Sequence, residues 1–132
     1  FIILSPSLIL KIKKNTYSMS ECLFCMIDKG ELPAEKVYDD GKVFAIKDIN
    51  PQAPIHFLII PKKHFSTVLE IKESDHKLIG SIYSVANELA KQNELDKSGF
   101  RVVVNCGVEA GQSVFHIHYH LLGGRSLKWP PG

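Results

Sequence analysis

The sequence predicts an α+β domain: a five-stranded antiparallel sheet with one long helix and a short helix near the N-terminus. Three observations lead there. Five short runs rich in β-branched and aromatic residues are separated by turn residues. One long segment, 74–90, places apolar side chains at helical spacing. The strands are joined mostly by short turns, which antiparallel neighbours permit and parallel ones do not.

The elements follow in order. Cys22 to Lys29 reads as a short helix closed by Gly30. Lys36 to Asp39 and Lys42 to Asp48 flank Asp40-Gly41, a strong hairpin signal. Residues 49–54 carry Pro51 and Pro54, which cannot donate to a ladder, so they form a loop. Ile55 to Ile60 is a strand ended by Pro61. Ser74 is a plausible N-cap. Leu78, Ile79, Ile82, Val85, Ala86 and Leu89 then form a single apolar face over about five turns. Gly99 to Asn105 is a fourth strand, Cys106 to Gln112 a glycine-containing loop, and Val114 to Leu122 the last strand, ended by Gly123-Gly124.

Composition narrows the function. With 132 residues the chain is one domain's worth, and 45% hydrophobic with 23% charged residues is globular composition. A net charge of +2 with scattered Lys and Arg argues against a nucleic-acid partner. Three cysteines cannot make a disulfide scaffold and suit a reducing, cytoplasmic setting. The apolar run Phe1 to Leu10 is interrupted by Ser5, Pro6 and Ser7 and is too short to span a bilayer, so no membrane partner is expected. Its lysines follow rather than precede it, unlike a signal peptide. Met19 stands just before the first recognisable element. Residues 1–18 therefore read as an upstream extension to a domain at 19–132, with an amphipathic arm packed on a neighbouring chain as the rival.

His116, His118 and His120 recur at strand period, so one face of the last strand would carry all three, about 6.5–7 Å apart. Phe115, Ile117, Tyr119 and Leu121 would face the core. A row of imidazoles is costly unless it binds metal or does proton and nucleophile chemistry. Gly111-Gln112-Ser113 just upstream could turn backbone N–H groups and a hydroxyl toward a phosphate. Together these point to phosphoryl or nucleotidyl transfer.

The run from Gly111 through His116, His118, His120 and Leu122 resembles the histidine triad (HIT) motif, three histidines alternating with apolar residues. The likeness extends over Phe24, Pro33-Ala34, Phe44 to Pro54, His56 to His64, Gly123-Gly124-Arg125 and Trp129-Pro130-Pro131-Gly132. That tail is similar to the purine nucleoside phosphoramidase branch. The resemblance implies that His118 is the nucleophile, attacking the α-phosphorus of a purine nucleoside phosphoramidate. A nucleotidyl-histidine forms, and water releases the monophosphate. It further implies His120 at the phosphate, with His56 as a fourth histidine holding His118 in a useful tautomer. Ser113, with Gly111 and Gln112, would bind phosphate and help protonate the departing amine. Asn105 would serve phosphate or ribose, and Asp48 with Ile49 the ribose. Phe24, Ile27, Phe44 and Ile49 would wall the purine, although Phe44 reads equally as core. A homodimer through the long helix and an edge strand is implied, with Trp129 approaching the partner's site. Dinucleoside-polyphosphate hydrolysis, nucleotidyl transfer and a nucleotide-binding interaction module are the alternatives.

Cys22 and Cys25 form a Cys-x-x-Cys pair. No strand precedes it, which disfavours a thioredoxin-like reading. It is half a zinc site or a pair of buried thiols. The resemblance supplies the other half as His64 and His116, a structural Zn²⁺ site. His116 then faces competing demands from zinc and from catalysis. Cys106 has no partner in this scheme, and neither magnesium nor an organic cofactor is expected.

Overall fold

The computed structural model describes residues 22–132. The proposed extension at 1–18, and Met19, lie outside the described residues. The chain runs α1 (Leu23–Asp28), β1 (Lys36–Asp39), β2 (Val43–Lys47), β3 (Ile55–Pro61), α2 (His76–Gln92), α3 (Leu95–Ser98), β4 (Phe100–Val104) and β5 (Tyr119–Gly123). The strands form one sheet in the order β1-β2-β3-β5-β4, every neighbour antiparallel. This is the α+β architecture that the pattern of runs and turns predicts.

Strand alternation divides the molecule into two layers. Val43, Ala45, Phe57, Ile59, Tyr119 and Leu121 face α2 and meet Ile82, Val85, Ala86 and Leu89. Phe44, Ile46, Leu58 and Ile60 point the other way and meet Phe24, Ile27 and Cys22. So α2 closes one face of the sheet, and the short α1 covers part of the other. The remainder of that second face carries the site.

Local chemistry explains most boundaries. The Cys22 thiol accepts the Cys25 N–H at the start of α1. At the β1–β2 turn Gly41 has φ +86°, and the Asp40 carboxylate accepts the N–H groups of Lys42 and Val43 at 2.9 and 2.8 Å. Lys62 on the far end of β3 reaches both Asp28 at 3.1 Å and Asp39 at 2.9 Å, tying α1 to the hairpin. The Lys62 and Lys36 ammonium groups and the Gly41 N–H hold the Asp39 carboxyl far below the usual carboxylate range.

Three details differ from the sequence pattern. The long helix begins at His76, one residue later than a Ser74 cap implies, because Ser74 lies inside a 3₁₀ turn, Glu73–Asp75; the Asp75 carboxylate accepts the Lys72 N–H at 3.0 Å and pairs with Lys63 at 2.6 Å. Helix α3 is four residues long, too short to show a period. The last strand is also shorter. Only Tyr119–Gly123 joins the ladder, whereas the alternation predicts Val114 to Leu122. Upstream of Tyr119 the chain leaves β3, and the Ile117 N–H goes to the Phe65 carbonyl at 2.8 Å instead. Ile117 still reaches the α2-side core, but Phe115 is only half-buried.

Candidate active site and metal cluster

The departure of 113–118 from the sheet separates the three histidines into two environments. His116 is buried, 1% exposed, and turns away from the other two. Its Nε2–H donates to the Pro61 carbonyl at 2.7 Å, which leaves Nδ1 bare. That Nδ1 stands 3.3 Å from Cys22 Sγ, 3.5 Å from Cys25 Sγ and 3.0 Å from His64 Nδ1. Cys25 Sγ is also 3.5 Å from His64 Nδ1. The four ligand atoms all lie within 4.8 Å of one another.

These donors fit a tetrahedral ion. Ligands at about 2.0–2.3 Å from zinc, spread tetrahedrally, stand roughly 3.3–3.8 Å apart, and the observed separations lie at or just below that span. Two imidazole Nδ1 atoms at 3.0 Å, with one of them fixed as bare, are a natural place for a cation or a shared proton. Burial, then the Cys22 thiol, pushes Cys25 up to about 12, so this thiol does not ionise by itself. The hydrogen bond from His116 to Pro61 is the outer partner that typically fixes a metal-binding imidazole. Four protein donors would leave no open position, which describes a structural site.

His118, His120, His56 and Asp48 form the second environment, at the wall of a cleft of about 930 Å³ that Phe24, Ile27, Ile49 and Ser113 also line. His118 donates its Nδ1–H to the His116 carbonyl at 2.8 Å. A neutral imidazole has one N–H, so Nε2 of His118 is bare. Burial lowers the His118 pKa, and the ring of Phe24 packs edge-on at 5.0 Å between centroids.

The tautomers of His56 and His120 are fixed as well. The main-chain N–H of Gln52 donates to His56 Nδ1 at 3.0 Å. An amide N–H can only donate, so His56 carries its proton on Nε2. His56 Nε2 lies 2.8 Å from His120 Nδ1 and 3.3 Å from Asp48 Oδ2. Two N–H groups cannot face each other at 2.8 Å, so His120 Nδ1 is the acceptor and its proton sits on Nε2. Burial first, then the neighbouring His118 and His56, push His120 down to about 4, and burial lowers His56 against the pull of Asp48. A bare nitrogen on His118 and an N–H on His120 thus stand on rings 5.1 Å apart.

The remaining residues named from sequence divide. Asp48, Ile49, Phe24, Ile27 and Ser113 line the cleft. Phe44 is fully buried beneath α1, in the core cluster with Ile46 and Leu58, and does not line it. The Gly111 N–H is spent on the Val108 carbonyl and the Gln112 N–H on the Gly107 carbonyl, each at 3.0 Å, so neither is free for a phosphate. The Gln112 side chain braces the loop, donating to Ser66 O at 2.7 Å and Val114 O at 3.1 Å. Asn105 is half-buried and outside the cleft lining. His56 does not hold His118 in its tautomer; the His116 carbonyl does. The Gln52 amide was not foreseen, because a main-chain donor leaves no mark on residue type.

An imidazole with a bare nitrogen at a cleft wall, a neighbouring imidazole N–H and a separate Cys₂His₂ cluster thus share one face of an antiparallel α+β sheet. Comparison with known proteins agrees. The HIT domain family matches residues 29–127, and the chain belongs to that family. It is 51% identical over 115 residues to a 14 kDa zinc-binding protein of Zea mays, spanning 86% of this chain and 89% of that one. A HIT family hydrolase of Legionella pneumophila superposes with a TM-score of 0.83 at 49% identity, over 84% of this chain and 99% of the other. A histidine triad nucleotide-binding protein of Candida albicans gives 0.72 at 35% identity, over 83% and 82%.

Proposed function

We propose that the chain hydrolyses purine nucleoside 5′-phosphoramidates at the P–N bond through a nucleotidyl-His118 intermediate. The observation that carries this is the hydrogen bond from His118 Nδ1 to the His116 carbonyl, which leaves Nε2 bare at the wall of the cleft. Nε2 of His118 bonds to the α-phosphorus as the P–N bond breaks, and the leaving amine takes the proton held on Nε2 of His120. Water then attacks the phosphorus, releases the nucleoside monophosphate and restores both imidazoles. Ser113 binds the phosphate, Asp48 and Ile49 the ribose, and Phe24 and Ile27 the base. The Asp48 carboxylate accepts the Asn50 N–H at 2.8 Å through Oδ1, which pins the carboxylate at the cleft wall.

His116 has no part in the proton transfers, because both of its nitrogens are engaged elsewhere. Cys22, Cys25, His64 and His116 would hold a structural Zn²⁺, which supplies rigidity by joining α1 to the 113–118 segment; the Zea mays relative is named as zinc-binding. A homodimer is part of the reading. The β4 edge exposes Phe100 and Val104, and α2 exposes Tyr83, so an apolar strip is available beside the sheet edge. Free thiols suit a reducing, cytoplasmic setting.

The test is a substrate panel. Adenosine 5′-phosphoramidate should be turned over faster, in kcat/KM, than diadenosine polyphosphates. The reverse preference would replace this reading with a dinucleoside-polyphosphate hydrolase.

A further inference from the structure

The histidine pair is set by contacts that begin outside the cleft. Arg125, exposed just beyond β5, donates its Nε–H to the Gln52 carbonyl at 2.9 Å and an Nη–H to the Ser126 carbonyl at 2.9 Å. Gly124 has φ +92°, and a Cβ there would lie 3.0 Å from Pro54, so the end of β5 lies directly against the 49–54 loop. The Gln52 side chain folds back on its own loop, donating to the Asn50 carbonyl at 3.0 Å. What Gln52 offers the site is therefore its main-chain N–H, aimed at His56 Nδ1.

We infer that Arg125 is a positioning residue: by holding the Gln52 carbonyl it steadies the backbone at Gln52, keeps the N–H of that residue on His56 Nδ1 and so favours the Nε2–H tautomer of His56, and through His56 that of His120. The chain of donation is directional. Gln52 N–H fills His56 Nδ1, His56 Nε2–H fills His120 Nδ1, and the His120 proton is left on Nε2. If the Gln52 amide swings away, His56 can carry its proton on Nδ1. His56 Nε2 then becomes an acceptor, and His120 turns its own N–H back toward it. The proton meant for the leaving group is lost from the reacting side. The Gln52 amide is the one described contact on His56 Nδ1; the Asp48 carboxylate, 3.3 Å from Nε2, accepts from the other side and favours the same tautomer, so loss of the amide leaves a mixture and not a complete switch.

The consequence for rate rests on the proposed role of His120; the tautomer assignment does not. The experiment therefore has two readouts on the full-length chain. Imidazole ¹⁵N NMR of the unaltered protein should show His56 and His120 both as Nε2–H tautomers. Arg125→Met should convert His56 to a mixture and lower kcat for adenosine 5′-phosphoramidate by about tenfold, a fraction of a full general-acid effect, with KM within about twofold. Arg125→Lys, which keeps a donor, should recover most of both. Finding His56 as the Nδ1–H tautomer in the unaltered protein would overturn the inference. So would an Arg125→Met variant that loses thermal stability or rate while both tautomers stay unchanged. An unaltered protein with the expected tautomers but no phosphoramidase activity would instead refute the functional reading and leave the positioning role standing.

Discussion

His116 donates to the Pro61 carbonyl through Nε2 at 2.7 Å while its Nδ1 faces Cys22, Cys25 and His64. That hydrogen bond leaves Nδ1, which faces the Cys/His cluster, as the one nitrogen His116 has to offer, so in the proposed reading the first triad histidine takes no part in the reaction. The protein should retain close to one zinc per chain when purified without added metal. His116→Ala should lose it. A loss of about 3 kcal/mol would lower Tm by roughly 10 °C in a domain of this size. Metal analysis combined with calorimetry checks both, and a metal-free protein of unchanged Tm would retire the site.

His118→Ala removes the bare nitrogen from the cleft wall. Turnover of adenosine 5′-phosphoramidate should fall by about 1,000-fold or more, since the nucleophile has no substitute. Adenosine monophosphate binding by calorimetry should persist within a few-fold. Residual turnover near that of the unaltered protein would exclude a covalent His118 intermediate.

The acid limb of the rate should carry a component from His120 beside that of the nucleophile His118. Below about 4 His120 takes a second proton on Nδ1, and the acceptor for His56 Nε2–H disappears. His118, His56 and Asp48 surround it, and only Asp48 favours the charged form. The His120 part of the acid limb should therefore appear as pH falls through about 4, and burial lowers the value of the nucleophile His118 below the ordinary imidazole range as well. The stability effect has a defined sign. The folded-state value lies below the ordinary 6.5, so between the two the unfolded chain binds more protons. The contribution of this group is complete above about 6.5, shrinks as pH falls toward 4 and is gone below it. Urea unfolding across pH 3.5–7.5 checks this, and in His120→Gln that component should vanish.

Much of the fold was legible because each element had its own local mark: Asp40-Gly41 for the hairpin, one apolar stripe from Leu78 to Leu89 for the helix. The histidines were legible as residue types, but their separation was not. Period-two alternation puts His116, His118 and His120 on one face only if all three are in the ladder, and the ladder begins at Tyr119. The turn away from the sheet depends on Pro61, Phe65 and His64, about fifty residues distant. The Cys-x-x-Cys pair had the same difficulty, since its partners are 39 and 94 positions away. Phe44 read equally as core or base wall, and burial beneath α1 decides for core. The 111–113 turn looked like a phosphate cradle, but two of its amides close the turn itself.

Gly124 offers a test of how the end of β5 supports the site. Its φ of +92° is costly for any residue with a Cβ, by about 1–2 kcal/mol. An alanine Cβ would in addition press on the Pro54 ring, 3.0 Å from its Cβ and 3.3 Å from its Cγ, so this part of the 49–54 loop must shift by a few tenths of an ångström. Gly124→Ala should therefore both destabilise the domain and displace the loop that carries the Gln52 amide. The expected result is a lower Tm together with a fall in kcat that exceeds any change in KM. Gly41 provides the comparison: its φ of +86° is equally strained for alanine, but a Cβ there meets nothing within 4 Å, and it lies at the hairpin turn away from the cleft. Gly41→Ala should cost similar stability and leave kcat unchanged. Equal losses of rate in the two variants would show that the effect is global destabilisation and not movement of the loop.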